Sequence, residues 1–253
     1  MKIKPKYVSV AALCFWSVAI SFIQSQKVSG QGFFNLNFEQ ASIQSAPSGY
    51  TPSDANLPIS AAAALLYWTV TEDGTICNAI WGAPNALDET SVALVSGGSY
   101  PNYTPLEGSY SVQLSAYADA PTGLFHDASI SQTGLVPVGT HSIQFLIFSP
   151  PVAGGVQANP ALTLNGTRIN LIPISASGGV ITMAGDVSNF AGTTANLTIL
   201  CAGVSGSPTL NQNVFALDAI QFSSASVPEP STLALGAIGA LLLGFRHRCI
   251  SSR

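Results

Sequence analysis

The body of the chain, from Gln31 to Val227, offers few side chains that can do acid–base chemistry. His126 and His141 are its only histidines. His126-Asp127 is adjacent, but adjacency in sequence does not make a dyad. Glu72-Asp73 and Asp88-Glu89 supply paired carboxylates beside the turn residues Gly74 and Pro84, where carboxylates are ordinarily solvated. Glycoside hydrolysis needs two carboxyls at a fixed separation with one pKa raised, and nothing in these spacings provides that. No Gly-x-Ser-x-Gly elbow, His-Glu-x-x-His helix or phosphate-binding glycine loop occurs. The expectation is a protein that is not an enzyme, with a carbohydrate-active enzyme as the lowest-ranked reading.

Binding chemistry is better represented. Trp68, Trp81, Tyr50, Tyr100, Tyr103 and Tyr117 carry flat faces on which sugars stack. Core packing is the stronger expectation for Trp68 and Trp81, because aromatics dominate sandwich cores. Tyr100-Pro101-Asn102-Tyr103 is a proline-broken loop, and Tyr100 and Tyr103 are the better glycan-stacking candidates. Cys77 and Cys201 lie in the body, Cys14 in the N-terminal segment and Cys249 in the tail. In an oxidising compartment Cys77 and Cys201 pair, or they stay two small buried thiols; sequence does not give the geometry. Asn102-Tyr-Thr, Asn165-Gly-Thr and Asn196-Leu-Thr match glycosylation sequons.

Charge is scarce and segregated. Arg168 is the only Lys or Arg between Gln31 and Val227, against eleven Asp and Glu, a formal charge of −10. Such a surface repels phosphate backbones and excludes nucleic acid as a partner. It suits cations or simple solvation. Asp218 falls within an apolar run, where an unpaired charge is costly, so it needs a partner.

These residues are positioned by short runs rich in Val, Ile, Thr, Phe and Tyr, separated by Gly, Pro, Asn and Ser. Strands are expected over Gly32–Phe38, Tyr110–Ala116, His141–Phe148, Ala161–Leu164, Arg168–Pro173, Val180–Met183, Ala195–Cys201 and Val214–Phe222. Ile143, Phe145 and Ile147 alternate onto one face. Asn165-Gly166 between apolar runs signals a two-residue hairpin. Ala61–Leu66 is the one helical turn. The fold class is all-β, a two-sheet jelly-roll-like β-sandwich, with an N-terminal signal helix and a C-terminal hydrophobic helix.

The division of the chain follows. Residues 1–30 read as a signal peptide: Lys2, Lys4 and Lys6, an apolar run from Tyr7 to Ile23, then Val28-Ser29-Gly30 before a cleavage site between Gly30 and Gln31. Residues 31–223 are the β-sandwich ectodomain and 224–230 a linker. Residues 231–248 hold an apolar helix and a basic end, and 249–253 a tail. LALGAIGALLLGF, from Leu233 to Phe245, is short of the ~20 residues that span a bilayer comfortably. Arg246, His247 and Arg248 hold that end on the cytoplasmic side.

VPEPSTLALGAIGALLLGFRHR, Val227 to Arg248, resembles the PEP-CTERM sorting signal: Pro-Glu-Pro, an apolar segment and an arginine-rich end. The resemblance implies Pro228, Glu229 and Pro230 as the motif and Arg246 and Arg248 as its basic stop. It also implies exosortase and the export machinery as partners, and transient anchoring in the membrane. His247 dilutes the basic cluster, and Cys249 to Arg253 extend past the usual end. The body is similar to PEP-CTERM proteins with jelly-roll, carbohydrate-binding-like ectodomains, through Asn37-Phe38-Glu39, LEGSYSVQL, SISQTGLVPVGTHSIQF, DVSNFAG and FALDAIQFSS. Similar proteins often carry Leu-Pro-Gly-Trp where this chain has Leu65-Leu66-Tyr67-Trp68. That likeness implies a structural Ca²⁺ between first and last strands, held by Glu39 and Asp218. Together these features describe an exported, non-catalytic cell-surface or extracellular-matrix protein, or alternatively a glycan-binding module facing extracellular polysaccharide.

Overall fold

The computed structural model describes residues 32–43, 58–82, 91–97, 104–118, 124–149, 159–203 and 212–227. The signal segment, its cleavage site at Gly30 and Gln31, and the tail beyond Val227 lie outside the described residues.

The described chain is a sandwich of two β-sheets. In chain order the elements are β1 (Pro58–Ser60), α1 (Ala61–Ala64), β2 (Thr69–Glu72), β3 (Thr75–Ile76), β4 (Ala79–Trp81), β5 (Ser91–Ser96) and β6 (Tyr110–Ala118). There follow β7 (Phe125–His126), β8 (Ala128–Leu135), β9 (Ser142–Phe148), β10 (Ala161–Leu164) and β11 (Thr167–Ile169). The last are β12 (Leu171–Ser177), β13 (Val180–Asp186), β14 (Thr194–Cys201) and β15 (Gln212–Ser223). The larger sheet runs β1-β4-β5-β6-β15-β9-β13-β12, with β7 beside β6; the smaller runs β11-β10-β14-β8-β2-β3. From β8 onward the chain passes back and forth between the sheets: β8 lies in the smaller, β9 in the larger, the hairpin β10–β11 in the smaller, the hairpin β12–β13 in the larger, β14 in the smaller and β15 in the larger. This is the jelly-roll-like winding expected.

Alternation builds the core. Along β14, Ala195, Leu197, Ile199 and Cys201 face inward, and Thr194, Asn196 and Thr198 face out. Ile130 from β8, Val112 and Leu114 from β6, Ile143, Phe145 and Ile147 from β9, and Phe215 and Leu217 from β15 meet them in one buried cluster. The hairpin at Asn165-Gly166 forms as the sequence requires, with φ of 50° and 77°, joining β10 to β11. The Asn165 carboxamide oxygen also accepts from the Asn196 amide at 2.7 Å.

Two expected strands differ. Arg168–Pro173 is divided at Asn170, because Ile169 pairs in the smaller sheet and Leu171 in the larger. Gly32–Phe38 forms no strand beyond a single bridge from Gly32 to Leu135. Asn35 and Phe38 have φ of 49° and 57°, which breaks an extended run. Side chains hold this segment instead. The Gln132 carboxamide accepts from the Phe34 amide at 2.6 Å and donates to the Phe34 carbonyl at 3.0 Å. The Trp68 indole donates to the Asn35 carbonyl at 3.1 Å. Phe38 is wholly buried against Trp68.

Trp68 is core, as expected, and Trp81 is half-buried. The helical turn forms over Ala61–Ala64. Among the described residues, no helix is long and apolar enough to cross a membrane.

The hairpin yields a stability test. Replacing Gly166 by Ala places a Cβ at positive φ and costs about 1–2 kcal/mol. Asn165→Ala adds loss of the bond to Asn196 and lowers the melting temperature further.

Candidate functional site

The site with most chemistry is built where β15 stops following its neighbour. β15 pairs with β6 only as far as Leu217, and with β9 on to Ser223, with a register shift between Asp218 and Gln221. There Ala219 and Ile220 stand opposite the single residue Phe145, a β-bulge. Ala219 has φ of 50°. Before the bulge Phe215 and Leu217 point into the core; after it Ile220 and Phe222 do. The inward phase has moved by one residue.

Asp218 lies on the face opposite Leu217, yet is 0% exposed. The connection before β6 covers it. Its Oδ2 accepts from the Glu107 amide at 3.0 Å and the Ser111 hydroxyl at 2.7 Å, and Oδ1 from the Ala219 amide at 2.7 Å. The carboxyl pKa is raised to about 6. Burial drives this, and the bonds from Ser111, Ala219 and Glu107 pull the other way.

Glu39 holds the same connection from outside. Its Oε1 accepts from the amides of Ser109 at 2.8 Å and Tyr110 at 3.0 Å. Gly108, just before them, has φ of 61°, and a Cβ there would collide with the Glu39 carboxylate. The two carboxylates that the sequence singled out therefore grip one five-residue stretch, Glu107 to Ser111. Ser111 and Gly108 are members that sequence reasoning missed. The period-two pattern, with Ser111 out of phase with Val112 and Leu114, was the available signal for Ser111.

This donor set does not fit the expected Ca²⁺. A hard cation takes six to eight oxygens. Here N–H and O–H donors already face three of the four carboxylate oxygens. Among the described residues, no three His, Cys, Asp or Glu side chains converge to hold a metal.

His126 finds its partner across the sandwich edge and not beside it in sequence. Its Nδ1 lies 2.7 Å from Asp73 Oδ2, and Asp73 Oδ1 accepts from the Asp127 amide at 2.9 Å. Desolvation acts to raise the Asp73 pKa, but the bonds from His126 and Asp127 outweigh it and hold the carboxyl below its ordinary value. Asp127 is used separately, accepting from the Gly203 amide at 2.8 Å. Glu72 accepts from the Val92 amide at 3.2 Å. These carboxylates join loops to strands.

Of the two readings left open for Cys77 and Cys201, pairing is not seen. Both are free thiols. Cys201 is buried and donates to the Asn213 carbonyl at 3.1 Å; Cys77 is half-buried, 3.5 Å from the Thr75 carbonyl. Burial, then the Glu72 charge, pushes the Cys77 thiol up to about 11. Burial raises Cys201 as well. Neither is a ready nucleophile. Tyr100, Tyr103, Asp88 and Glu89 lie outside the described residues.

Just past β15, residues 226–248 match the PEP-CTERM protein-sorting motif. The chain carries a PEP-CTERM sorting tail. Pro228, Glu229, Pro230, Arg246 and Arg248 all fall within the match. No curated protein sequence matches this chain. Among solved structures it is similar to the enzymatically active domain of tailspike protein 4 of bacteriophage CBA120, at 15% identity and a TM-score of 0.33. That match covers 63% of this chain, but the chain spans only 19% of the tailspike domain. It is also similar to a family 11 carbohydrate-binding module from Clostridium thermocellum, solved with a beta-1,3-1,4-mixed-linked tetrasaccharide. That match has 13% identity, a TM-score of 0.32, and covers 64% of this chain and 92% of the module.

The Asp218 site makes a pH prediction. A raised carboxyl pKa means that the folded state holds the proton more tightly than the unfolded state. The Asp218 contribution to stability is therefore fullest below the ordinary value of 3.8 and is lost as pH rises to about 6. Asp218→Asn has no such titration. The melting temperature of the native protein relative to Asp218→Asn should fall between about pH 4 and 6 and level off above. EDTA should leave both melting curves unmoved.

Proposed function

We propose that this is an exported, non-catalytic β-sandwich of the cell surface or extracellular matrix. In this reading the PEP-CTERM tail directs it to the envelope, an exosortase recognises Pro228-Glu229-Pro230, and the apolar segment is a temporary anchor. The observation that carries the reading is the match over 226–248, which starts immediately beyond the end of β15 at Ser223.

The exit of the chain supports it. His141 donates its amide to the Ser223 carbonyl at 2.8 Å. The Ser142 hydroxyl donates to the Ala225 carbonyl at 2.7 Å, and the Ala225 amide to the Ser223 hydroxyl at 3.1 Å. The fold is closed off before the motif begins, so removing the tail leaves the sheet intact. The rest of the chain suits a surface role. Among the described residues, Glu39, Glu72, Asp73, Asp127, Asp186 and Asp218 are engaged in holding loops and turns, and the body is strongly acidic with Arg168 as its one strong cation.

Two variants test the proposal in the native host. Deleting residues 227–253 should release the protein from the envelope fraction into the medium. Changing Pro228, Glu229 and Pro230 together to Ala should leave it uncut in the membrane fraction. Processing and fractionation unchanged from the native protein would remove the basis for the proposal.

A further inference from the structure

The outer face of the smaller sheet is a field of hydroxyls. Cross-strand register places Thr69 beside Ser131, Ser131 beside Thr198, Thr198 beside Thr163, and Thr163 beside Arg168. The next row pairs Thr133 with Asn196. At the β2–β8 end of this field the Gly32–Phe34 segment and Tyr67 rise above the sheet. Between them is a groove of about 320 Å³, walled by Phe34 and Tyr67 and floored by Thr69, Ser131, Thr133 and Asn196.

Tyr67 is the unusual member. It is 52% exposed and has φ of 74°, a conformation that costs a residue with a Cβ about 1–2 kcal/mol. Glycine would adopt it freely. Nothing in the core uses the phenol ring. Its one aromatic neighbour among the described residues is Phe34, at 5.0 Å between centroids and 38° between planes. The turn beneath it is fixed: Trp68 donates its amide to the Leu65 carbonyl and its indole to Asn35, and the Asn35 side chain donates to the Leu66 carbonyl. A strained backbone held by the surrounding structure points to a use for the side chain it carries.

The lining has one chemical character. It joins two aromatic rings to hydroxyls and two carboxamides, and none of its residues is charged. Gln132, below, is already committed to both polar groups of the Phe34 backbone. Asn196 is oriented by Thr133, at 3.1 Å, and Thr198, at 2.9 Å. The Thr69 and Ser131 hydroxyls have no side-chain hydrogen-bond partner among the described residues. Aromatic faces with a few placed neutral polar groups suit a ligand with an apolar face and hydroxyl edges. A polyanion would meet no cation in the groove and a body of formal charge −10.

We propose that this groove is a binding site for a neutral polysaccharide, with one sugar ring stacked on Tyr67 and the chain continuing over the Thr and Ser row. The site extends the surface role to a contact with surrounding glycan. It is read by binding alone, so it stands or falls independently of how the tail is processed.

The test is affinity electrophoresis of the full chain, in mild detergent, through gels containing a soluble β-glucan, galactan or mannan, with alginate as the anionic comparison. At least one neutral polymer should retard the protein, and alginate should not. Tyr67→Gly removes the ring while relieving the backbone, so it should fold at least as stably as the native protein. It should bind roughly tenfold more weakly, as expected for one lost stacking contact. Tyr67→Phe should keep most of the affinity. Retardation by none of the neutral polymers, retardation by alginate alone, or undiminished binding by a folded Tyr67→Gly would each overturn the proposal.

Discussion

The architecture depends on one irregularity, the bulge at Ala219 and Ile220. A regular β15 would keep its inward phase to the end and carry Asp218 on a bare outer face. With two residues opposite Phe145, the Ile220 amide is free to donate to the Leu36 carbonyl at 3.0 Å. That bond helps hold the N-terminal segment, which has no ladder of its own. The same break ends pairing with β6, leaving room for Glu107 to Ser111 to fold over Asp218. One extra residue in a central strand thus fixes the segment before β1, the connection before β6, and the last turn of chain before the tail.

A body almost without Lys and Arg must settle its carboxylates by other means. The structure uses backbone amides. Asp218, Glu39, Glu72, Asp127 and Asp186 each accept from amide groups of another loop, a strand or a neighbouring turn. Such charge-assisted bonds are stronger than neutral ones. They also need no cationic side chain, whose long stem would have to be ordered. Arg168, the lone strong cation of the body, is exposed beside Thr163 and is not spent on any of these. The acidity read from the sequence as a surface property is in good part a set of loop fastenings.

Local chemistry was the legible part. Asn165-Gly166 announces its hairpin because both positions must reach positive φ. Ile143, Phe145 and Ile147 announce a half-buried strand by alternation, and the tail is announced by three unlike features in order. What sequence could not supply was long-range. Gly32–Phe38 has strand composition, but its bonds go to Gln132, Trp68 and Ile220, far away in sequence. β5 and β8 escaped notice because SVALVS is buried on both faces and so does not alternate, while ASISQTGL has only Ile130 and Leu135 as large apolar residues among small and polar ones. Asp218 and Glu39 were marked as a candidate pair of metal ligands. That both accept from amides of the Glu107–Ser111 stretch depends on the path of that stretch, which no residue spacing encodes.

Where the tail leaves the fold also sets how the molecule bears load. β15 lies between β6 and β9 and runs antiparallel to both. A pull on the tail acts along that strand, so the ladder bonds to its two neighbours resist together in shear. An edge strand in the same place would peel away one bond at a time. The bonds from His141 and Ser142 at the exit are the first to feel such a pull. A pull applied at that end is thus borne by β15, the longest strand among the described residues.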